Sequence, residues 1–303
     1  MSNFSVTILG TNSSVPANNR ALSSQVVYIN NNLYIIDCGE GTQNQLSKYK
    51  IKRNKVRAVF ISHCHGDHLY GLPGLLSSYT HFEREEKLYI FGPIGIKLYL
   101  DTIFKISHVH LTYPIEIVEC DTETHGMIYE DDSCCVYNFS LVHRIPSQGF
   151  IFTEKIDPFR IDPLKIKLFN LTVNQIKTIK KGQSIIINGE KLDHKILCHP
   201  PHIPKKYVYA SDTSPLSIYP DLILNTNTLY HEATYLHDLK NLAIERGHST
   251  AFHAAKFAQK IHAKKLLLGH FSSRYKDSSL IEKEAIEIFE NSIACMDGVN
   301  YIV

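Results

Sequence analysis

The sequence predicts an α/β protein, and three observations carry that prediction. Short apolar runs rich in β-branched and aromatic residues alternate with helix-patterned stretches almost to the C-terminus. No apolar run approaches the roughly 18 residues that a membrane-spanning helix requires. Polar and ionisable residues recur just past the apolar runs, where loops leaving the carboxyl ends of sheet strands converge on one crevice. With 303 residues, 44% hydrophobic and 20% charged, the chain has material for a sizeable core.

Taken in order, strands are expected at 6–9, 25–29 and 33–37, the last two joined by Asn30-Asn31-Asn32, a residue type that accepts positive φ. A helix follows over 42–49, then a strand at 56–61, a helix over 72–78, a strand at 88–91 and a helix over 95–104. The second half adds strands at 136–141, 207–210, 228–231 and 265–268 and helices over 250–261 and 281–291, with Ser249 or Thr250 capping the first of these helices. Residues 154–191 break the rhythm. They hold Asp157-Pro158, Asp162-Pro163, an apolar-basic stretch over 164–181 and a hairpin signal over 184–190, and read as an insertion projecting from a single domain spanning 1–303.

Charge and cysteine content narrow the class. The formal net charge of +2 does not announce a nucleic-acid partner, and the lysine and arginine clusters at 48–57 and 177–181 read first as solvated surface. Seven scattered cysteines, an odd number with Cys134 and Cys135 adjacent, argue against a secreted disulfide framework. The first residues carry no basic segment followed by an apolar one, so the expectation is an unexported, cytoplasmic protein without a membrane partner.

The chemistry is concentrated in Ser62-His63-Cys64-His65-Gly66-Asp67-His68, which directly follows Val59-Phe60-Ile61. Three imidazoles and a carboxylate so close together, at a strand exit, indicate metal binding. His63 and His65 share one side of an extended backbone while Asp67 and His68 fall elsewhere, so two adjacent ions suit the run better than one. Cys64 points away from its neighbouring histidines in the same geometry and is set aside. Three more candidates follow apolar runs: His143 after Leu141-Val142, Asp212 after Val208-Tyr209-Ala210, and His270 after Leu266-Leu267-Leu268. One ion would take His63, His65 and His143 and the other Asp67, His68 and His270, with Asp212 bridging them. This mixture of imidazole and carboxylate suits two zinc ions per chain, with manganese or iron as substitutes. Two ions about 3.5 to 4 Å apart can ionise a shared water near neutral pH and clamp phosphoryl oxygens.

These residues resemble the metallo-β-lactamase superfamily and, within it, the ribonuclease Z family of tRNA 3′ processing endonucleases. The resemblance runs through Leu9-Gly10-Thr11, Asp37-Cys38-Gly39-Glu40-Gly41-Thr42-Gln43, the 62–68 run with Gly71-Leu72-Pro73-Gly74-Leu75, His143-Arg144-Ile145-Pro146-Ser147 and Ser211-Asp212-Thr213. It continues in His231-Glu232-Ala233-Thr234, Gly247-His248-Ser249-Thr250 and Gly269-His270-Phe271-Ser272-Ser273-Arg274-Tyr275, which separate ribonuclease Z from the general hydrolases of the superfamily.

The resemblance implies a metallo-β-lactamase αββα sandwich with an inserted arm, two zinc ions, and Asp67 as both ligand and proton acceptor. It also implies a Glu232–His248 pair near the site that delivers a proton to the leaving 3′-oxygen. Ser272 and Arg274 are placed to meet a substrate phosphate. The arm, 154–191, would grip precursor tRNA as an exosite, and the protein would act as a homodimer. This chain departs from the family pattern at the arm: residues 168–177 contain no Gly-Pro step, although Lys177, Lys180, Lys181, Gly182 and Gln183 follow. The activity implied is removal of the 3′ trailer from precursor tRNA, leaving a 3′-hydroxyl on the tRNA and a 5′-phosphate on the trailer. The alternative on the same fold is a metal-dependent hydrolase of small phosphodiesters or sulfate esters. A non-catalytic RNA-binding protein would be expected to show eroded ligands, and all seven positions are filled.

Overall fold

The computed structural model describes residues 4–155, 159–199 and 203–303, so the Asp157-Pro158 step lies outside the described residues. The chain divides into two compact units, Met1–Thr153 with Lys205–Val303, and Glu154–Pro204.

The larger unit is built on two seven-stranded sheets. One runs, edge to edge, through Asn300–Ile302, Phe4–Gly10, Ser24–Ile29, Asn32–Cys38, Val56–Phe60, Leu88–Pro93 and Ile115–Cys120. The other runs through Ser292–Ala294, Leu266–Gly269, Thr228–Glu232, Lys206–Ala210, Gln148–Glu154, Cys134–Ser140 and Gly126–Glu130. Each sheet contains a block of four parallel strands, from Asn32–Cys38 to Ile115–Cys120 in the first and from Lys206–Ala210 to Ser292–Ala294 in the second.

Side-chain alternation explains the layers. Tyr34 and Ile36 face the same inter-sheet core as Tyr207, Tyr209, Phe60, Phe150 and Phe152. Leu33 and Ile35 face the opposite way, onto Leu46, Leu75, Leu76, Ile96 and Leu100 of helices Thr42–Lys48, Leu72–His81 and Ile96–Ser107. On the second sheet Val208 and Ala210 pack outward against Ala254, Ala255, Ala258, Ile281 and Ala285 of helices Ala251–Lys260 and Ser279–Ile286. The small alanines let the first of these helices lie close to the sheet. Strands covered on both faces must be apolar throughout, which is why they read as continuous runs in the sequence. Each large side chain so buried contributes about 1.5–3 kcal/mol against exposure. The result is four layers, helix, sheet, sheet, helix.

Several elements differ from expectation. The helix expected over 281–291 stops at Ile286, because Ser292–Ala294 pairs with Leu266–Gly269 and Ala294 N–H donates to Glu282. The strands Ile115–Cys120, Gly126–Glu130 and Asn300–Ile302 lie at sheet edges and were not anticipated, nor was Gln148–Glu154 inside the second sheet.

The smaller unit has a core of Ile161, Leu171, Ile179, Ile185 and Leu197. Asp162-Pro163 is a helix start: the Asp162 carboxylate accepts from Leu164 N–H and Pro163 opens the helix Pro163–Leu168. Thr172 and Gln175 form a capping box for Val173–Lys180. The hairpin joins Ile185–Ile187 to Glu190–Leu192 over Asn188-Gly189, both at positive φ (51° and 86°), the conformation a two-residue turn needs. This unit extends to Pro204, past the expected boundary at 191. Among the described residues no helix is long and apolar enough to cross a membrane.

Candidate metal centre

Four strand exits meet at one end of the larger unit. His63 follows Val56–Phe60; His65 caps the single-turn helix Gly66–Leu69, which carries Asp67 and His68. His143 follows Cys134–Ser140, Asp212 follows Lys206–Ala210, and His270 follows Leu266–Gly269. Asp212 and His270 sit at φ 56° and 57°. Left-handed backbone at residues with a Cβ costs about 1–3 kcal/mol each, and here the strain turns both side chains into the pocket.

The ligand atoms fall into three overlapping groups: His63, His65, His143 and Asp212; Asp67, His68 and His270; and Asp212, His248 and His270. In the first, His65 Nδ1 stands 3.0 Å from His63 Nε2 and 3.3 Å from His143 Nε2. In the second, His68 Nε2 and His270 Nε2 are 3.3 Å apart, with Asp67 Oδ2 3.6 and 3.5 Å from them. Asp212 Oδ1 faces this second group, 3.2 Å from His68 and 3.1 Å from His270, while Oδ2 faces the first, 3.7 Å from His63 and 3.9 Å from His143. Ligands about 2.0–2.1 Å from one ion at tetrahedral angles stand roughly 3.3 Å apart, so the first two groups have the spacing a cation requires. All seven residues anticipated from the sequence are thus brought together.

Each buried imidazole is oriented by a hydrogen bond at its other nitrogen. His68 Nδ1 is 2.7 Å from Asp37 Oδ2, a buried carboxylate that also accepts from Ser62 N–H, Ser62 Oγ and the Tyr209 hydroxyl. His270 Nδ1 is 3.0 Å from Thr234 Oγ1, and His143 Nδ1 donates to the Gly247 carbonyl at 2.7 Å. Gly247 has φ 73°, and a Cβ there would stand 2.8 Å from His143 Nδ1, so only glycine serves.

Protonation states agree with a donor set. Burial, then the neighbouring His68, hold His63 well below the usual imidazole range, and burial lowers His65 and His143, leaving their lone pairs free at neutral pH. Burial opposes protonation of His68 as well, but Asp212, Asp37 and Asp67 outweigh it and push its pKa well up. A proton there neutralises carboxylates converging on one buried point, where a cation would do the same. Burial would raise Asp67, yet His68 and His270 hold it well below the carboxylate range. The residues present therefore fit metal binding in chemistry and charge.

Beside this pocket, fully buried Glu232 accepts from Thr213 N–H, from Thr234 Oγ1 and from His248, whose Nδ1 is 3.1 Å away. Burial disfavours charge on His248, but Glu232 and then Asp212 prevail and push it up to about 9. Its Nε2 makes no hydrogen bond among the described residues. His248 lines two adjoining cavities. One, of about 470 Å³, is bounded by Ser14, Val15, His65, Asp67, Tyr70 and Asp212; the other, of about 350 Å³, by Ser13, Arg144, Tyr235, Arg246, Ser272 and Arg274. Arg274 lies over the Tyr235 ring, 5.0 Å from its centroid, and its Nε donates to Ser272 Oγ at 3.2 Å.

The chain is 38% identical to the ribonuclease Z of Parabacteroides distasonis over 305 aligned residues, covering 100% of both chains. It belongs to the ribonuclease Z family. The ribonuclease Z of Bacillus subtilis is 35% identical, with 95% of each chain covered. The crystal structure of the short form of human tRNase Z superposes with a TM-score of 0.71 at 27% identity over 98% of each chain. A metallo-beta-lactamase fold protein of Bacillus subtilis superposes at 0.68 with 17% identity over 98% of each chain, a likeness of fold alone. The αββα sandwich read from the sequence is the observed fold. A family model described as Anti-Pycsar protein Apyc1 matches residues 4–110, which hold the 63–68 run but not His143, Asp212 or His270.

In this member of the ribonuclease Z family, the sequence reading missed Asp37, Thr234, Arg144 and Arg246 as parts of the site, although the first three lie inside segments that carry the family resemblance. Asp37 had one usable signal, a carboxylate closing an otherwise apolar strand. The Gly247 carbonyl had none, because a backbone oxygen leaves no mark in a sequence.

Proposed function

We propose that this protein is a zinc-dependent endoribonuclease that cuts precursor tRNA on the 3′ side of the discriminator nucleotide, leaving a 3′-hydroxyl on the tRNA and a 5′-phosphate on the trailer. The observation that carries the reading is a bridged donor pocket with a carboxylate on one side and a carboxylate-backed imidazole on the other, opening onto an arginine-lined cavity. His63, His65 and His143 would hold one zinc ion, Asp67, His68 and His270 the other, and Asp212 would bridge them; manganese or iron could substitute. When bound, the pair supplies Lewis-acid activation of water and neutralises charge on the phosphate.

The chain's own residues do the rest. Asp67, anchored by Ser14 N–H at 2.7 Å, keeps a charged carboxylate beside the attacking oxygen and accepts its proton. His248, held by Glu232, donates from Nε2 to the departing 3′-oxygen. Ser272 and Arg274 receive a phosphate, Arg274 through guanidinium nitrogens whose stacking on Tyr235 fixes their plane. The inserted unit serves as a tRNA exosite, using Lys177, Lys180 and Lys181 where the family pattern has a Gly-Pro tip. The protein works in the cytoplasm as a homodimer.

Incubation of the purified protein with a defined precursor tRNA, with both new ends mapped, tests this reading. One cut after the discriminator with a 3′-hydroxyl and a 5′-phosphate is expected, far faster than cleavage of a free dinucleotide. Equal turnover of precursor and dinucleotide would instead favour a hydrolase of small diesters.

A further inference from the structure

We propose that Tyr70 is the stacking platform for the first nucleobase of the trailer, an inference that rests on the endoribonuclease reading above. Tyr70 directly follows the single-turn helix that carries Asp67 and His68, and 63% of its surface is exposed. Its ring lies against Gly66, so closely that a Cβ at that position would meet ring carbons at 2.3, 2.6 and 2.7 Å. The glycine therefore gives the ring a rigid backing while the rest of it opens into the 470 Å³ cavity that Asp67 and Asp212 also line. The Tyr70 hydroxyl makes no hydrogen bond among the described residues. Val15, itself 53% exposed, Pro16 and Leu22 line the same cavity and add apolar surface beside the ring.

The arginines assign the strand. His248, the proton donor to the leaving 3′-oxygen, and Arg144 line both cavities and so mark the scissile bond between them, whereas Arg246 and Arg274 line only the smaller one and offer it cations for the tRNA phosphates. The aromatic cavity is then left for the nucleotide attached through the 5′-oxygen. Every base has a π-face, so a stacking platform holds trailers of differing sequence equally well.

Single-turnover kcat/KM should be measured for wild type, Tyr70→Ala and Tyr70→Phe on two precursors, one with a normal first trailer nucleotide and one abasic there. Stacking on one aromatic ring predicts that Tyr70→Ala loses about tenfold on the normal precursor and about nothing on the abasic one, on which wild type is itself about tenfold slower. Tyr70→Phe should keep the discrimination between the two precursors. Equal losses by Tyr70→Ala on both precursors would make Tyr70 merely structural, and no loss on either would remove it from the site. Failure of wild type to cut the intact precursor would overturn the endoribonuclease reading and this proposal with it. Normal cutting without sensitivity to the missing base would overturn this proposal alone.

Discussion

His65 and His68 stand three residues apart in one loop, yet the protein treats them differently. His68 is wholly buried and tied through Asp37 to Ser62 and Tyr209, hence to the core between the sheets. His65 lies in the wall of an open cavity, and among the described residues its ring nitrogens come within hydrogen-bond distance only of His63 and His143, both in its own ligand group. His68 is thus fixed by the fold, whereas His65 leaves its group with one open side, facing the cavity that Asp67 also lines. The lesson is that one sequence run supplies a fixed ligand and an accessible one, and the metal affinities they confer should differ accordingly.

Replacing Asp212 should have the largest effect, because its two oxygens face the two groups. Asp212→Ala is expected to reduce precursor hydrolysis to background and to strip metal from both halves, read by elemental analysis; retention of full metal content would break the comparison. His248→Ala should come next, slowing precursor cleavage by about 10²–10⁴-fold with metal content unchanged. The loss should shrink on a substrate with a p-nitrophenolate leaving group, which needs no proton; an equal loss would deny His248 the donor role. Asp37→Asn keeps the side-chain size but weakens the anchor of His68, and about 10–100-fold weaker metal retention under chelator challenge is expected, approaching that of the open side. The smallest effect belongs to the inserted unit. Lys177→Ala with Lys181→Ala should weaken precursor binding and lower the slope of log K against log salt by about 0.7–0.9 for each phosphate that a lysine no longer neutralises.

How far the sequence could be read follows the same division between local and distant causes. The 63–68 run was legible because its ligands are neighbours in the chain, and His143, Asp212 and His270 because each follows an apolar strand. The Gly247 carbonyl and Thr234 were not, since their roles exist only once distant strands are assembled. The edge strands Ile115–Cys120 and Gly126–Glu130 escaped because edges are only partly buried and carry charges such as Glu116 and Glu119, which blur the alternation. In the inserted unit, Asp162 and the Thr172–Gln175 box are regular helix-start signals that the lysine-rich composition obscured.

Anomalous diffraction from crystals of the purified protein, measured at the zinc edge, tests the central claim most directly. Two peaks are expected, one among His63, His65 and His143 and one among Asp67, His68 and His270, with the Asp212 carboxylate between them. A single peak, or peaks outside this pocket, would contradict the account.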